Sequence, residues 1–123
     1  MRIKKARQIL KSFADDTRLR IINLLNNQEL NVTELCKILH STQSNISKHL
    51  TRLRLTGVVG DRRKGVNVYY YLTKPVDRAH QGLLNAITFG LAELETFKQD
   101  LEKLKNFKKA IKTKAVRKGD GKK

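Results

Sequence analysis

Apolar residues recur at helical spacing from the start of the chain: Ile3, Ala6, Ile9, Leu10 and Phe13, with Arg and Lys between them. Ala14-Asp15-Asp16-Thr17 interrupts this stripe. Asp15 is placed to cap a second helix that buries Leu19, Ile22 and Leu25 and ends at Asn26-Asn27. A third helix opens at Asn31, with Glu34 three residues on in a capping-box spacing and Leu35, Ile38 and Leu39 on its apolar face. His40-Ser41 makes a turn and Thr42 caps a fourth helix, which Thr56-Gly57 closes. On that helix Ile46, Leu50 and Leu53 share one face. Ser44, Lys48 and Thr51 point the opposite way, flanked by Ser47 and Arg52.

The period then changes. Val58-Val59 and Val66 to Leu72 predict a hairpin around Gly60-Asp61-Arg62-Arg63-Lys64-Gly65. In its second strand Val66, Val68, Tyr70 and Leu72 alternate with Asn67, Tyr69 and Tyr71, as in a half-buried strand. Pro75 is read as the start of one last long helix. There Leu83, Ile87, Leu94, Phe97, Leu101, Leu104 and Ile111 repeat at mixed threes and fours, with Gly82 and Gly90 inserted. From Lys108 the chain reads KKAIKTKAVRKGDGKK, the composition of a frayed helix passing into a flexible cationic tail. The expected fold is mainly α with a small β-hairpin, a winged helix-turn-helix. Residues 1–107 would form one domain, with long helices at both ends, and 108–123 a basic tail.

Composition narrows the partners. The chain has 123 residues, enough for one domain with a modest core, and no Trp, so that core is built from Leu, Ile and Val. The formal net charge is +16, a field that attracts polyanions, nucleic acid foremost. Cys36 is the single cysteine, which excludes an intramolecular disulfide framework and points to a reducing compartment. No apolar run approaches a membrane span, and none follows the basic MRIKKARQILKSF as in a cleavable leader, so a cytoplasmic protein without membrane contact is expected.

The candidate chemistry is recognition. In helix-turn-helix docking, residues near the start of the second helix meet base edges, which selects Gln43, Ser44, Asn45, Ser47 and Lys48, with Thr51 and Arg52 further along. The Thr42 cap and the positive helix end favour a phosphate nearby. Arg62, Arg63 and Lys64 at the wing tip suit an adjacent phosphate or minor groove. His49, at the border of the buried face, is read as a structural or phosphate-contacting residue. Of the three tyrosines, one ring is assigned to the core and two to the sheet surface, in preference to a stacking platform for single strands. Asp15 and Asp16 are adjacent at a helix start, which suits capping rather than acid–base work. No nucleophile with a base and no phosphate loop is present, so no enzyme activity is expected.

The segments FADDTRLRIINLL, ELNVTELCKIL, STQSNISKHLTRLRLTGVV and DRRKGVNVYYYL closely resemble the ArsR/SmtB family of winged-helix transcriptional repressors, in order and with family spacing over roughly residues 5–75. The resemblance implies a homodimer whose first and last helices pack at the two-fold. It would use Ile9, Phe13, Leu83, Ile87, Leu94, Phe97 and Leu101. It also implies that helix 42–56 and wing 58–72 of each subunit bind an inverted-repeat operator in double-stranded DNA. The spacing of the last helix suits a helix awaiting a partner, and core packing within one subunit would look the same.

The family's sensors are another matter. Metal-sensing relatives open the third helix with Cys-Val-Cys, where this chain has Asn31-Val32-Thr33. Cys36 and His40 lie one turn apart but do not complete a site. Asp77 and His80 lack the spacing of the family's other metal pair, and Glu93 and Glu95 do not replace the missing histidines. No metal and no cofactor is therefore expected, and the inducer is left unknown. A non-specific architectural nucleic-acid binder, using the basic surface and tail, is the alternative.

Overall fold

The computed structural model describes the backbone of residues 1–120 and the side chains of residues 1–112. Its elements are α1 (Ile3–Phe13), α2 (Asp16–Asn27), α3 (Val32–Leu39), α4 (Gln43–Leu55), β1 (Val59–Lys64), β2 (Asn67–Leu72), α5 (Arg78–Thr88) and α6 (Glu95–Asp120). The caps fall where the local pattern predicts them. Asp15 accepts the Arg18 amide at 3.1 Å. Asn31 and Glu34 exchange both bonds of a capping box, at 2.8 and 2.9 Å. Thr42 accepts the Asn45 amide at 3.1 Å.

Helix α2 is the hub, packing against α1, α4, α5, α6 and β2. Ile21, Ile22 and Leu24 from α2, with Ile9, Leu35, Ile46, Leu50 and Leu53 from its neighbours and Val58-Val59 from the hairpin root, form the buried centre. The stripe on α1 is only half used: Ile9 and Phe13 are buried, whereas Ile3 is 86% and Leu10 54% exposed.

Two predicted elements need correction. The single long helix from Pro75 is two helices. Asp77 caps α5 three residues later than predicted, by accepting the His80 amide at 2.9 Å. The chain then turns after Thr88. Gly90 donates to Asn85 O at 2.9 Å, and a Cβ at Gly90 would stand 2.5 Å from the Ala86 carbonyl oxygen, so the turn needs glycine there. This bend sends α6 back over α2 and α3. Asp100, 1% exposed, receives a bidentate pair from Arg20 at 2.7 and 2.8 Å, and Asn23 donates to Phe97 O. Helix α6 continues through Lys108, where a tail was expected to begin, to Asp120; residues 121–123 lie outside the described residues.

The hairpin differs too. β1 extends to Lys64, which pairs with Asn67, and the turn is Gly65-Val66 alone. Gly65 has φ +63°, the first central position of a type II′ turn. Arg62, Arg63 and Lys64 therefore sit in a strand and not in a loop, because ladder hydrogen bonds come from the backbone and tolerate charged side chains at an edge. A short bridge between Leu30 and Tyr70, with N–H to O distances of 3.2 and 2.8 Å, pins β2 to the segment before α3.

Candidate nucleic-acid interface

Helix α4 is set by its ends and by one polar lock. At its N-terminus His40 adopts the left-handed conformation (φ 51°), Ser41 donates its amide to Cys36 O, and the Asn45 side-chain amide donates to Ser41 Oγ at 2.9 Å. At its C-terminus Gly57 (φ 77°) and Val58 return hydrogen bonds to Arg54 and Leu53, closing the helix and aiming the chain into β1. Along the buried side, with Ile46, Leu50 and Leu53, lies His49, 7% exposed. Arg18 donates from Nη1 to His49 Nδ1 at 3.1 Å and from Nε to Ser12 O at 2.6 Å.

Because Nδ1 accepts, it carries no proton, and His49 is a neutral ring although Asp15 lies 3.7 Å away. Burial is the main cause that pushes its pKa below 6.5; the Arg18 and Lys48 charges add to this and Asp15 opposes it. For Asp15, burial works upward, but the Arg18 amide, the charge of His49 once acid has protonated it and the Arg18 charge outweigh it and leave the carboxyl below its ordinary value. His49 is thus a tie between α4 and the α1–α2 corner, which removes it from the set expected to touch phosphate.

The rest of the predicted set falls into grades. Thr42, Gln43, Ser44, Lys48, Thr51 and Arg52 are exposed along one side of α4, while Asn45 and Ser47 are half-buried. Thr42 and Asn45 already serve the turn, and Thr51 Oγ1 donates back to Ser47 O at 2.9 Å. Gln43, Ser44, Lys48 and Arg52 are left as the long or early groups on an acid-free face.

On the hairpin, the pairing puts Arg62 and Lys64 on one face with Tyr69 and Tyr71, opposite the face on which Tyr70 and Leu72 meet the core. The Arg62 guanidinium lies 5.5 Å from the Tyr71 ring centre and the Lys64 ammonium 5.5 Å from that of Tyr69. The Tyr71 ring crosses Gly60 so closely that a Cβ there would be 2.7 Å from it.

Arg62 is ion-paired with Glu29, and Arg54 of α4 with Asp61 of β1, two clips that sequence inspection missed because their partners are not at helical or strand spacing. Both carboxylates near the hairpin are thereby occupied. Among the described residues no carboxylate is ion-paired with Lys48, Arg52, Arg63 or Lys64. Lys48 and Arg52 on α4 and Arg63 and Lys64 on β1 are thus exposed cations, with Arg63 and Lys64 on opposite faces of the hairpin.

The interface residues expected at a two-fold are placed less favourably. Ile9, Phe13, Ile87 and Phe97 are 0, 7, 7 and 2% exposed within the chain's own core. Leu83 and Leu101 are half-buried, and Leu94 is 46% exposed at the start of α6. The alternative reading of the mixed threes and fours, packing within one subunit, accounts for α6. Other apolar surface stays open: Ile3 and Leu10 on α1, and Ala79, Gly82, Ala86 and Phe89 along the outer side of α5.

Cys36 is half-buried, and burial raises its thiol pKa. Among the described residues no three His, Cys, Asp or Glu side chains gather as a metal site would require, and no helix is long and apolar enough to cross a membrane.

A family model described as bacterial regulatory protein, arsR family, matches residues 15–60, the span from the α2 cap to the root of the hairpin. The transcriptional repressor PagR of Bacillus anthracis is 35% identical over 88 residues, 71% of this chain and 88% of that protein. The chain belongs to the arsR family. Arsenic resistance transcriptional regulator ArsR1 of Pseudomonas putida is 41% identical over 80 residues, which cover 64% of this chain and 62% of ArsR1. The match thus spans less than two thirds of that relative's length. Among solved structures, reduced HlyU from Vibrio cholerae superposes with a TM-score of 0.61 at 33% identity, covering 75% of this chain and 90% of HlyU. The arsR-family winged helix is the fold seen here, with α6 folded back beside it.

Proposed function

We propose that this chain is a cytoplasmic, homodimeric, sequence-specific DNA-binding transcriptional regulator that acts as a repressor by occupying promoter DNA and performs no chemistry. The observation that carries this reading is the acid-free, exposed face of α4 bearing Gln43, Ser44, Lys48 and Arg52, followed in the chain by a hairpin on which Arg63 and Lys64 are also exposed. A helix of this kind fits a major groove, where Gln and Ser bond base edges and Lys and Arg reach guanine or phosphate. The strand cations then fall on the flanking backbone or minor groove. Among arsR-family relatives the names include a repressor, PagR, and a transcriptional activator, HlyU of V. cholerae; repression suits a protein whose only evident action is to cover DNA.

Dimerisation is assigned to α1 and α5 through Ile3, Leu10, Ala86 and Phe89, which the subunit core leaves exposed, instead of the buried residues first expected. A two-fold pair would set its α4 helices one DNA turn apart, ~34 Å, on an inverted repeat.

Selection from a random duplex pool tests the reading. Recovery of an inverted repeat preferred by ~10³-fold or more over random duplex supports it; equal binding to all duplexes at every salt concentration replaces it with an architectural binder. Gln43→Ala should weaken the selected site alone. Neutralising Arg63 and Lys64 should weaken all duplexes and flatten the salt slope. Phe89→Asp should yield monomer in sedimentation.

A further inference from the structure

The excess positive charge is not centred on the reading helix. Residues 15–60, from the α2 cap to the hairpin root, carry six Lys and Arg against four Asp and Glu. From Lys103 to Lys118, within α6, there are eight Lys and Arg and no acid, half of the formal net charge of +16. Leu104, 3% exposed, is the last residue of α6 described as buried, and Phe107 packs half-buried against the core. Lys108 to Lys112 are then all exposed, while the helix runs on to Asp120, a further length of about 20 Å. Lys105, Lys109 and Lys112 share one face of it, and among the described residues no carboxylate is ion-paired with them. Lys105 with Lys109, and Lys108 with Lys112, are like charges one turn apart, which destabilises a helix unless an anion lies between them. The root of this stretch is close to the wing. Lys105 and Lys108 line a shallow cleft with Asn27 at the end of α2. Just beyond Asn27, Glu29 pairs with Arg62 and Leu30 with Tyr70. The same short connection thus holds both the hairpin and the root of the cationic helix.

We propose that residues 103–118 of α6, led by Lys105, Lys109 and Lys112, are a second nucleic-acid contact, an arm that lies along duplex phosphates beside the wing and adds affinity without sequence preference. Lysine ammonium groups meet phosphate oxygens as point charges and read no base. Duplex DNA offers a charge every ~1.7 Å of its axis, so a helix of this length meets several. Past Phe107 the chain has no aromatic side chain to stack on unpaired bases. Its bulky apolar residues there are Ile111 and Val116 alone, too few for a helix lying in a membrane surface. The place beside the wing rests on the DNA-binding reading; the affinity for duplex phosphates does not.

Salt titrations of the full chain and of a triple variant (Lys105→Gln, Lys109→Gln, Lys112→Gln), on random duplex and on a selected operator, test the arm. Gln keeps nearly the helix propensity of Lys, and thermal unfolding checks the fold. The slope of log affinity against log salt should fall by about 2–3 per chain on both duplexes, with the preference for the operator unchanged. Lys109→Gln alone, with a fall of about 1, serves if the triple variant does not fold. Hydroxyl-radical protection on the outer flank of each half-site should be lost with the three lysines. A control variant (Lys4→Gln, Arg7→Gln, Arg78→Gln) removes the same charge from exposed positions on α1 and α5 and should leave the slope nearly as it was. An unchanged slope in the α6 variant overturns the proposal. So does an equal fall in the control, because the charge then acts only through the field of the whole chain. A loss of affinity for single-stranded RNA but not for duplex overturns it in favour of an RNA contact. If selection yields no operator, the regulator reading fails, and the titration on random duplex still decides the arm.

Discussion

In the α4–hairpin half, arginines meet carboxylates at the surface: Arg54 with Asp61, and Arg62 with Glu29, all four side chains between 29 and 56% exposed. In the α2–α6 half, Arg20 meets Asp100, whose side chain is 1% exposed. The chemistry is the same and the consequences differ. A pair in water contributes little, because solvent already satisfies both ions. A buried carboxylate depends on its partner, because removing that partner leaves a charge that nothing solvates. The hairpin therefore owes its position to backbone pairing, with Leu30–Tyr70 and the β1–β2 register, and can give its surplus cations to a ligand. Helix α6 owes its position to a polar pair that must be made in one geometry.

The largest test of this contrast is Arg20→Ala, expected to cost about 3–5 kcal/mol in urea unfolding by stranding Asp100. Pairing it with Asp100→Leu should recover much of that loss. A single-variant cost below ~1 kcal/mol would class the pair with the surface clips. Next, Thr42→Ala should cost about 1 kcal/mol through loss of the α4 cap, with operator affinity falling too because the helix start frays.

The lock beneath α4 adds a pH dependence. His49 is depressed when folded, so below pH 6.5 the unfolded chain takes up its proton first and stability falls as acid is added. Asp15 is also depressed: its contribution is full above pH 3.8 and is lost as pH falls through its lower folded value. His49→Gln, which keeps an acceptor for Arg18, should remove the first slope and leave a smaller second one, because the His49 charge is among the causes that lower Asp15; thermal unfolding across about pH 2–7 reads both. Smallest of all, Arg62→Ala should change stability by no more than about 1 kcal/mol while lowering affinity for every duplex at low salt.

Much of the reading half was legible because its signals are short-ranged. Asp15, Asn31 and Thr42 each cap an amide three residues away, and the apolar face of α4 follows from a period of 3.6 residues. The hairpin was located, but its turn was not. Glycines and charges over residues 60–65 look like a loop, whereas the ladder runs to Lys64 and leaves Gly65-Val66 to reverse the chain. The last helices were misjudged for a related reason. Spacings of three and four describe one straight helix as well as two, and only the close approach of Gly90 to the Ala86 carbonyl shows where the chain bends.

What the sequence determined by itself is therefore local: which segments are helical, where they begin, which side of α4 is polar, and an excess of cations with few acids to absorb them. Tertiary structure decided the rest. It turned His49 inward onto Arg18, 31 residues away, and tied Arg62 to Glu29 across 33 residues. It also spent the stripe of α6 on its own subunit through Arg20 and Asp100, 80 residues apart. Caps and periodicity act within a helical turn, so they leave a trace in neighbouring residues. A partner that distant is chosen by how the packed helices bring the chain together, and no spacing along the chain records it.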